Sequence, residues 1–181
     1  ETLPSTPLFG SDGIRGKANV YPLTPEFVVR LGQAAAEILL EARGESREWP
    51  SVVIGKDTRQ SGDMLEAAIA AGLNSQGVDV RLAGVIPTPA VAMLTQQTGA
   101  AFGIVISASH NPFGDFGSKF FGVEGYILVD ATELAIEQRI PSDDVFSEGG
   151  PTGRIAEIEN AVERYVAYVR DSVGNDSELL S

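Results

Sequence analysis

The chain has 181 residues, 43% of them hydrophobic, which is enough to bury one substantial core; 13 basic and 25 acidic residues leave a formal charge of −12. Such an acidic chain, with no basic stripe, repels the phosphates of nucleic acid and of anionic membranes, so neither is an expected partner, although a few local cations and backbone amides could still hold a small anion. The absence of cysteine excludes disulfides and thiolate metal sites and fits a reducing, cytoplasmic setting, and no apolar run reaches membrane-spanning length.

The chain opens on Glu1 to Leu8, short, polar and proline-containing, unlike a signal peptide and without an initiator Met, as expected of a trimmed piece. Leu8 to Gly16 is punctuated by glycine and carries Asp12 and Arg15. Thr24-Pro25-Glu26 starts a helix, with a capping hydroxyl followed by proline at the first helical position. Phe27, Val28, Leu31, Ala35, Ile38 and Leu39 recur at helical spacing, so this helix is predicted to run to about Ala42 and to end at Gly44. Ser51 to Gly55 is wholly apolar after its serine, as a strand covered on both faces should be. A second helix is predicted from Ser61, a strand over Val78 to Leu82, a third helix from Pro87 through Gln97, and a buried strand over Ala101 to Ile106. Phe120 and Phe121 predict a short strand and Tyr126 to Val129 another, followed by a helix over Asp130 to Ile140 and an exposed acidic loop over Pro141 to Gly153. Ile158, Ala161, Val162, Tyr165, Val166 and Val169 predict one amphipathic terminal helix over Ile155 to Val173.

Strands alternating with helices at these intervals predict an α/β fold, a three-layer α/β/α domain with a mixed, mainly parallel sheet. Residues 1–153 are expected to form the domain, and residues 154–181 a terminal helix and the start of a linker. In open sheets of this kind ligands sit beyond the carboxyl ends of the strands, where Lys56 to Gly62 and Ser107 to Gly114 both fall.

Ser107-Ala108-Ser109-His110-Asn111-Pro112 places a serine hydroxyl directly after a buried strand. Ser109 and His110, the only histidine, cannot easily form a hydrolase dyad, because adjacent side chains in extended backbone point to opposite faces. No G-x-S-x-G elbow is present either. Taken alone, the hexapeptide also reads as a capped turn, since Asn-Pro favours turns. Lys119 lies just beyond, where a returning strand would pass the loop. It is either a solvated surface residue or, held near Ser109 away from bulk water, an amine able to pass a proton. Arg15 suits a planar phosphate clamp or a surface ion pair. In Gly55-Lys56-Asp57-Thr58-Arg59-Gln60-Ser61-Gly62 the structural reading is preferred to phosphate contact: Asp57 or Ser61 caps the helix and Arg59 pairs with an acid.

Together these residues closely resemble the α-D-phosphohexomutase family. Phe9 to Gly16 (F-G-S-D-G-I-R-G) is similar to its opening motif, as are Gly55 to Arg59 with Ser61-Gly62, and Pro87-Thr88-Pro89; Ser107 to Pro112 matches its phosphoserine loop. The resemblance implies that Ser109 carries the phosphoryl group, that Lys119 is the general acid or base, and that Arg15 and His110 orient or neutralise the phosphate. It implies Mg2+ bridging the phosphate on Ser109 to carboxylates of a second domain, and a hexosamine 1,6-bisphosphate as activator and intermediate.

The opening motif favours the branch that interconverts glucosamine 6-phosphate and glucosamine 1-phosphate over the mannose and glucose phosphate branches. Members have four domains and are often dimers, so the implied partners are a sugar phosphate, domains 2–4 of the same enzyme and a second copy. The Asp-rich, sugar-reading and phosphate-clamping loops of those later domains are absent from this chain. Two positions flanking Gly117 depart from the family pattern D-x-N-G-x-K: Phe116 stands where asparagine is usual, and Ser118 where an apolar residue is. An isolated or engineered non-catalytic module, and a different phosphate-handling α/β domain, are the alternative readings.

Overall fold

The computed structural model describes residues 8–10, 13–44, 49–107, 115–122, 124–126, 128, 130–140 and 150–173. In chain order its elements are β1 (Ile14–Lys17), α1 (Pro25–Arg43), β2 (Ser51–Lys56), α2 (Ser61–Ser75), β3 (Asp79–Val85), α3 (Thr88–Thr98), β4 (Phe102–Ile106), β5 (Asp115–Gly122), α4 (Asp130–Arg139), β6 (Ile155–Glu157) and α5 (Ala161–Val173). The strands form one sheet in the order β1-β5-β4-β2-β3-β6. β2 runs parallel to both β3 and β4, and β3 parallel to β6, while β5 is antiparallel to β4 and to β1. The expected three-layer, mainly parallel α/β architecture is what the chain forms.

The layers follow from side-chain alternation along each strand. Val52, Ile54, Phe102, Ile104, Ile106 and Phe120 point to one face and pack with Val28, Leu31, Leu65, Ile69 and Ile136 of α1, α2 and α4. Val53, Val105 and Phe121, one residue out of phase, point to the other face and pack with Ala90, Val91, Met93 and Leu94 of α3 and Ala161 of α5. The central strands are apolar on both faces because helices cover both.

Local chemistry sets the helix ends. The Thr24 hydroxyl accepts the Phe27 amide at 3.3 Å and Pro25 occupies the first turn, as expected. Gly44 closes α1 at φ +56°. α1 and α2 cross at Gly32 and Gly72, where a Cβ on Gly72 would lie 2.2 Å from the Val29 carbonyl oxygen. That distance leaves room for a hydrogen atom only, so two helices meet backbone to backbone.

Three predicted elements differ. β5 is eight residues long rather than a short strand at Phe120 and Phe121, because every residue from Asp115 to Ser118 also pairs with β1. No strand forms among the described residues of Tyr126 to Val129; the chain turns back there, with the Leu128 amide on the Phe120 carbonyl at 3.0 Å. The predicted terminal helix begins only at Ala161. Ile155–Glu157 is instead an edge strand on β3, since the Val80 amide bonds the Arg154 carbonyl at 2.8 Å and the Ile158 amide the Leu82 carbonyl at 2.8 Å. Among the described residues no helix is long and apolar enough to cross a membrane.

Candidate functional site

β1, β2 and β4 run the same way, so Lys17, Lys56 and Ile106 end at one rim of the sheet, and antiparallel β5 enters from that rim at Asp115. Arg15 and Lys119 both lie near this rim, on different strands. Arg15 pairs with Gly117, and Lys119, two residues further along β5, pairs with Val105. Ile14 and Phe120 fill the core beneath α1, so alternation puts Arg15 and Lys119 together on the opposite face. Diagonal neighbours of this kind stand about 7–8 Å apart, within reach of two long side chains. Arg15 is exposed and Lys119 half-buried. Strand pairing therefore brings together two cations that are far apart in the sequence.

Gly13 sets the approach of Arg15. Its φ is +80°, and a Cβ there would lie 2.0 Å from the Ser118 carbonyl oxygen. Any side chain would push β1 away from β5. Gly10 and Gly13 exchange backbone hydrogen bonds of 3.1 and 2.9 Å just before the strand, which fixes its entry.

Beside these cations lies a polar knot where the β2 and β4 ends meet. The Asp57 amide donates to the Ile106 carbonyl at 3.1 Å, and the Asp57 carboxylate accepts the Ser107 hydroxyl at 3.0 Å. The same carboxylate accepts the Arg59 amide at 3.0 Å and lies 3.3 Å from Arg59 Nε. On its other side the Ser107 amide donates to the Gly117 carbonyl at 2.8 Å.

Lys56 binds Glu66 at 2.6 Å and Asp63 at 2.8 Å. Burial disfavours its ammonium, but the hydrogen bonds to Asp63 and Glu66 outweigh that cost, and the pKa is raised above the usual 10.5. Because the folded-state pKa is raised, this contact stabilises the fold at neutral pH and is lost as alkaline pH passes the raised value. The structural reading of this loop thus holds for Arg59, which pairs with Asp57. It fails for the cap: α2 follows Gln60, which makes no side-chain cap bond, and Asp57 serves the loop instead.

Ser109 and His110 lie outside the described residues, as do Asp12, Asn111 and Pro112. What is described is the frame that carries them, with Ser107 on one side and Asp115 on the other. Lys119 and Arg15 are brought to that frame. Among the described residues no group of three or more His, Asp or Glu side chains is disposed to hold a metal. The Asp57 carboxylate already accepts from Ser107 and Arg59. These described residues do not by themselves suit magnesium.

Two features escaped the sequence reading or gained meaning from the fold. The Asp57–Ser107 bond spans 50 residues and leaves no local pattern. Ser118, noted as a departure from the family pattern, is buried on the α1 side with its hydroxyl lacking any hydrogen-bond partner among the described residues. It borders a cavity of about 10 Å³ walled by Leu23, Val28, Leu31, Leu65, Ile69 and Ile106. Nothing in the described structure explains why serine stands there.

Residues 6–145 match the family described as phosphoglucomutase/phosphomannomutase, alpha/beta/alpha domain I. The phosphoglucosamine mutase of Herminiimonas arsenicoxydans is 49% identical over 175 residues, covering 94% of this chain and 39% of that protein. The phosphoglucosamine mutase of Azoarcus sp. (strain BH72) is 50% identical over 173 residues, covering 94% and 38%. A crystal structure of a phosphoglucomutase/phosphomannomutase family protein from Burkholderia thailandensis superimposes with a TM-score of 0.74 at 27% identity, over 93% of this chain and 36% of that one. The chain spans about two fifths of the length of the curated relatives it matches.

Proposed function

The chain belongs to the phosphoglucomutase/phosphomannomutase family as its α/β/α domain I, and from that premise we propose that it is the phosphoryl-carrying domain of a phosphoglucosamine mutase. The reaction is the interconversion of glucosamine 6-phosphate and glucosamine 1-phosphate through the 1,6-bisphosphate. Phosphorylated Ser109 gives its phosphoryl group to a free sugar hydroxyl: the bond from phosphorus to Ser109 Oγ breaks as the bond to the sugar oxygen forms. Lys119 gives a proton to the departing Ser109 Oγ and takes up the proton of the sugar hydroxyl. In the second half, Ser109 Oγ takes back the phosphoryl group from the other end of the sugar, and its proton returns through Lys119 to the sugar oxygen. Arg15 and His110 neutralise the phosphate as it moves.

One observation carries this reading. The antiparallel β5 lies between β1 and β4, and so presents Arg15 and Lys119 on one face at the rim where Ser107 leads into the serine loop. Phosphoryl transfer needs little covalent help from the protein and depends on alignment and charge neutralisation, which two such cations supply. The branch rests on the names of relatives at 49% and 50% identity.

Magnesium belongs to this reading: the phosphate on Ser109 and carboxylates of a second domain would hold it, and it would neutralise phosphate charge. Domains 2–4, a cytoplasmic setting and a homodimer belong to the same reading.

The test is intact mass after incubation with glucosamine 1,6-bisphosphate in magnesium buffer, followed by peptide mapping. A single phosphoryl group on Ser109, absent from Ser109→Ala, supports the carrier role. Phosphorylation elsewhere, or equal uptake by Ser109→Ala, overturns it. A second reading, a non-catalytic module, is distinguished by the same measurement.

A further inference from the structure

The loop after β2 and the loop after β4 are joined by Asp57, a residue to which the reaction above assigns no role. The Ser107 hydroxyl donates to Asp57 Oδ2 at 3.0 Å, and the Arg59 guanidinium lies 3.3 Å from that oxygen. Asp57 Oδ1 accepts the Arg59 amide at 3.0 Å, which stops the carboxylate from rotating. The Asp57 amide in turn holds the Ile106 carbonyl, and the Ser107 amide holds the Gly117 carbonyl. Ser107 is thus gripped from both sides, by β2 through its side chain and by β5 through its backbone. It stands two residues before Ser109, while Gly117 stands two before Lys119.

We propose that Asp57 is a positioning residue for phosphoryl transfer: through the Ser107 hydroxyl it fixes the end of β4 against β2 and β5, the point from which the chain runs on to Ser109. This rests on the phosphoryl-carrier reading. A charged acceptor is suited to the role because hydrogen bonds to carboxylates are roughly twice as strong as neutral ones. The Arg59 side chain, 12% exposed, holds the carboxylate in place and shields it on one side. Small displacements of a reacting group cost rate steeply, on the order of 10²-fold for 1 Å.

Threonine and valine at position 107 have nearly the same shape and differ by one hydroxyl, which allows a clean experiment in the 181-residue chain. Two readouts are taken on Asp57→Ala, Ser107→Val and Ser107→Thr: the hydrogen exchange rate of the Ser107 amide by NMR, and the rate of phosphoryl gain at Ser109 from glucosamine 1,6-bisphosphate. Ser107→Thr should match the unsubstituted chain. Asp57→Ala and Ser107→Val should speed Ser107 exchange about tenfold or more, and slow phosphoryl gain by a similar factor at saturating bisphosphate with the half-saturating concentration unchanged. The double variant Asp57→Ala/Ser107→Val should be no worse than either single one.

Equal exchange and equal rates in Ser107→Thr and Ser107→Val overturn the proposal, and that pair decides it even if Asp57→Ala fails to fold. If the unsubstituted chain takes up no phosphoryl group, the carrier reading fails, and Ser107 exchange alone decides whether the clamp exists.

Discussion

On one face of the sheet α1, α2 and α4 form continuous cover, with Ile14, Ile104 and Phe120 buried beneath them and the Gly32–Gly72 crossing holding two helices backbone to backbone. On the other face α3 lies over β2 and β4 and reaches only the near side of β5, so Arg15 is exposed and Lys119 half-buried. The two cations sit where helical cover thins among the described residues. A charged side chain needs either water or a partner, and here both lie near the surface. Among the described residues one face is closed by three helices, while the other, although it has its own core, is less covered toward the β1–β5 edge.

That division can be broken from either side. The largest effect is expected at the helix crossing: Gly72→Leu should cost more than about 4 kcal/mol, because no rotamer escapes the Val29 carbonyl. Circular dichroism should show an unfolded or molten chain at 25 °C, and a cooperative transition near the original midpoint would contradict the packing described. Next, Lys119→Met on the open face should slow phosphoryl gain at Ser109 by about 10²–10⁴-fold while shifting stability by less than about 1 kcal/mol. A large loss of stability would mean that Lys119 belongs to the fold rather than to the chemistry.

The tightly packed face has a flaw, and mending it is the third test. Ser118→Val removes the unpartnered hydroxyl and adds one methyl group beside the small cavity, for an expected gain of about 1–2 kcal/mol. The melting midpoint should rise by roughly 2–8 °C; a fall would show that the cavity cannot accept the methyl group.

The smallest effect concerns Glu133 on α4, a buried carboxyl whose pKa is raised above 4.5, first by burial and then by the neighbouring Asp130. The folded state holds this proton more tightly than the unfolded one, so stability falls as pH rises from 4.5 through the raised value. Glu133→Gln should therefore stabilise the chain at pH 7 and lose that advantage below pH 4.5. A gain that persists unchanged at low pH would point to packing rather than charge.

Much of this was legible along the chain because it depends on near neighbours. Thr24-Pro25, Gly44 and the apolar spacing of α1 and α2 placed those helices within a residue or two, since caps and helical faces are written within one turn. The ordered motifs identified the family for the same reason: each is a short loop between two elements. β5 was underestimated, because the residues before Phe120 owe their strand form to β1. Ile155–Glu157 was read as helix because three residues cannot show a period, and only the vacant edge of β3 makes them a strand.

The sequence by itself determined the α/β class, the first helices and the apolar central strands, all of which rest on periodicity and on contacts within a few residues. The tertiary structure alone decided that Arg15 and Lys119 share a face, that Asp57 grips Ser107, and that Ser118 is buried without a hydrogen-bond partner among the described residues. Those are facts of strand order and register. They are set by hydrogen bonds between distant segments, which no local pattern of side chains encodes.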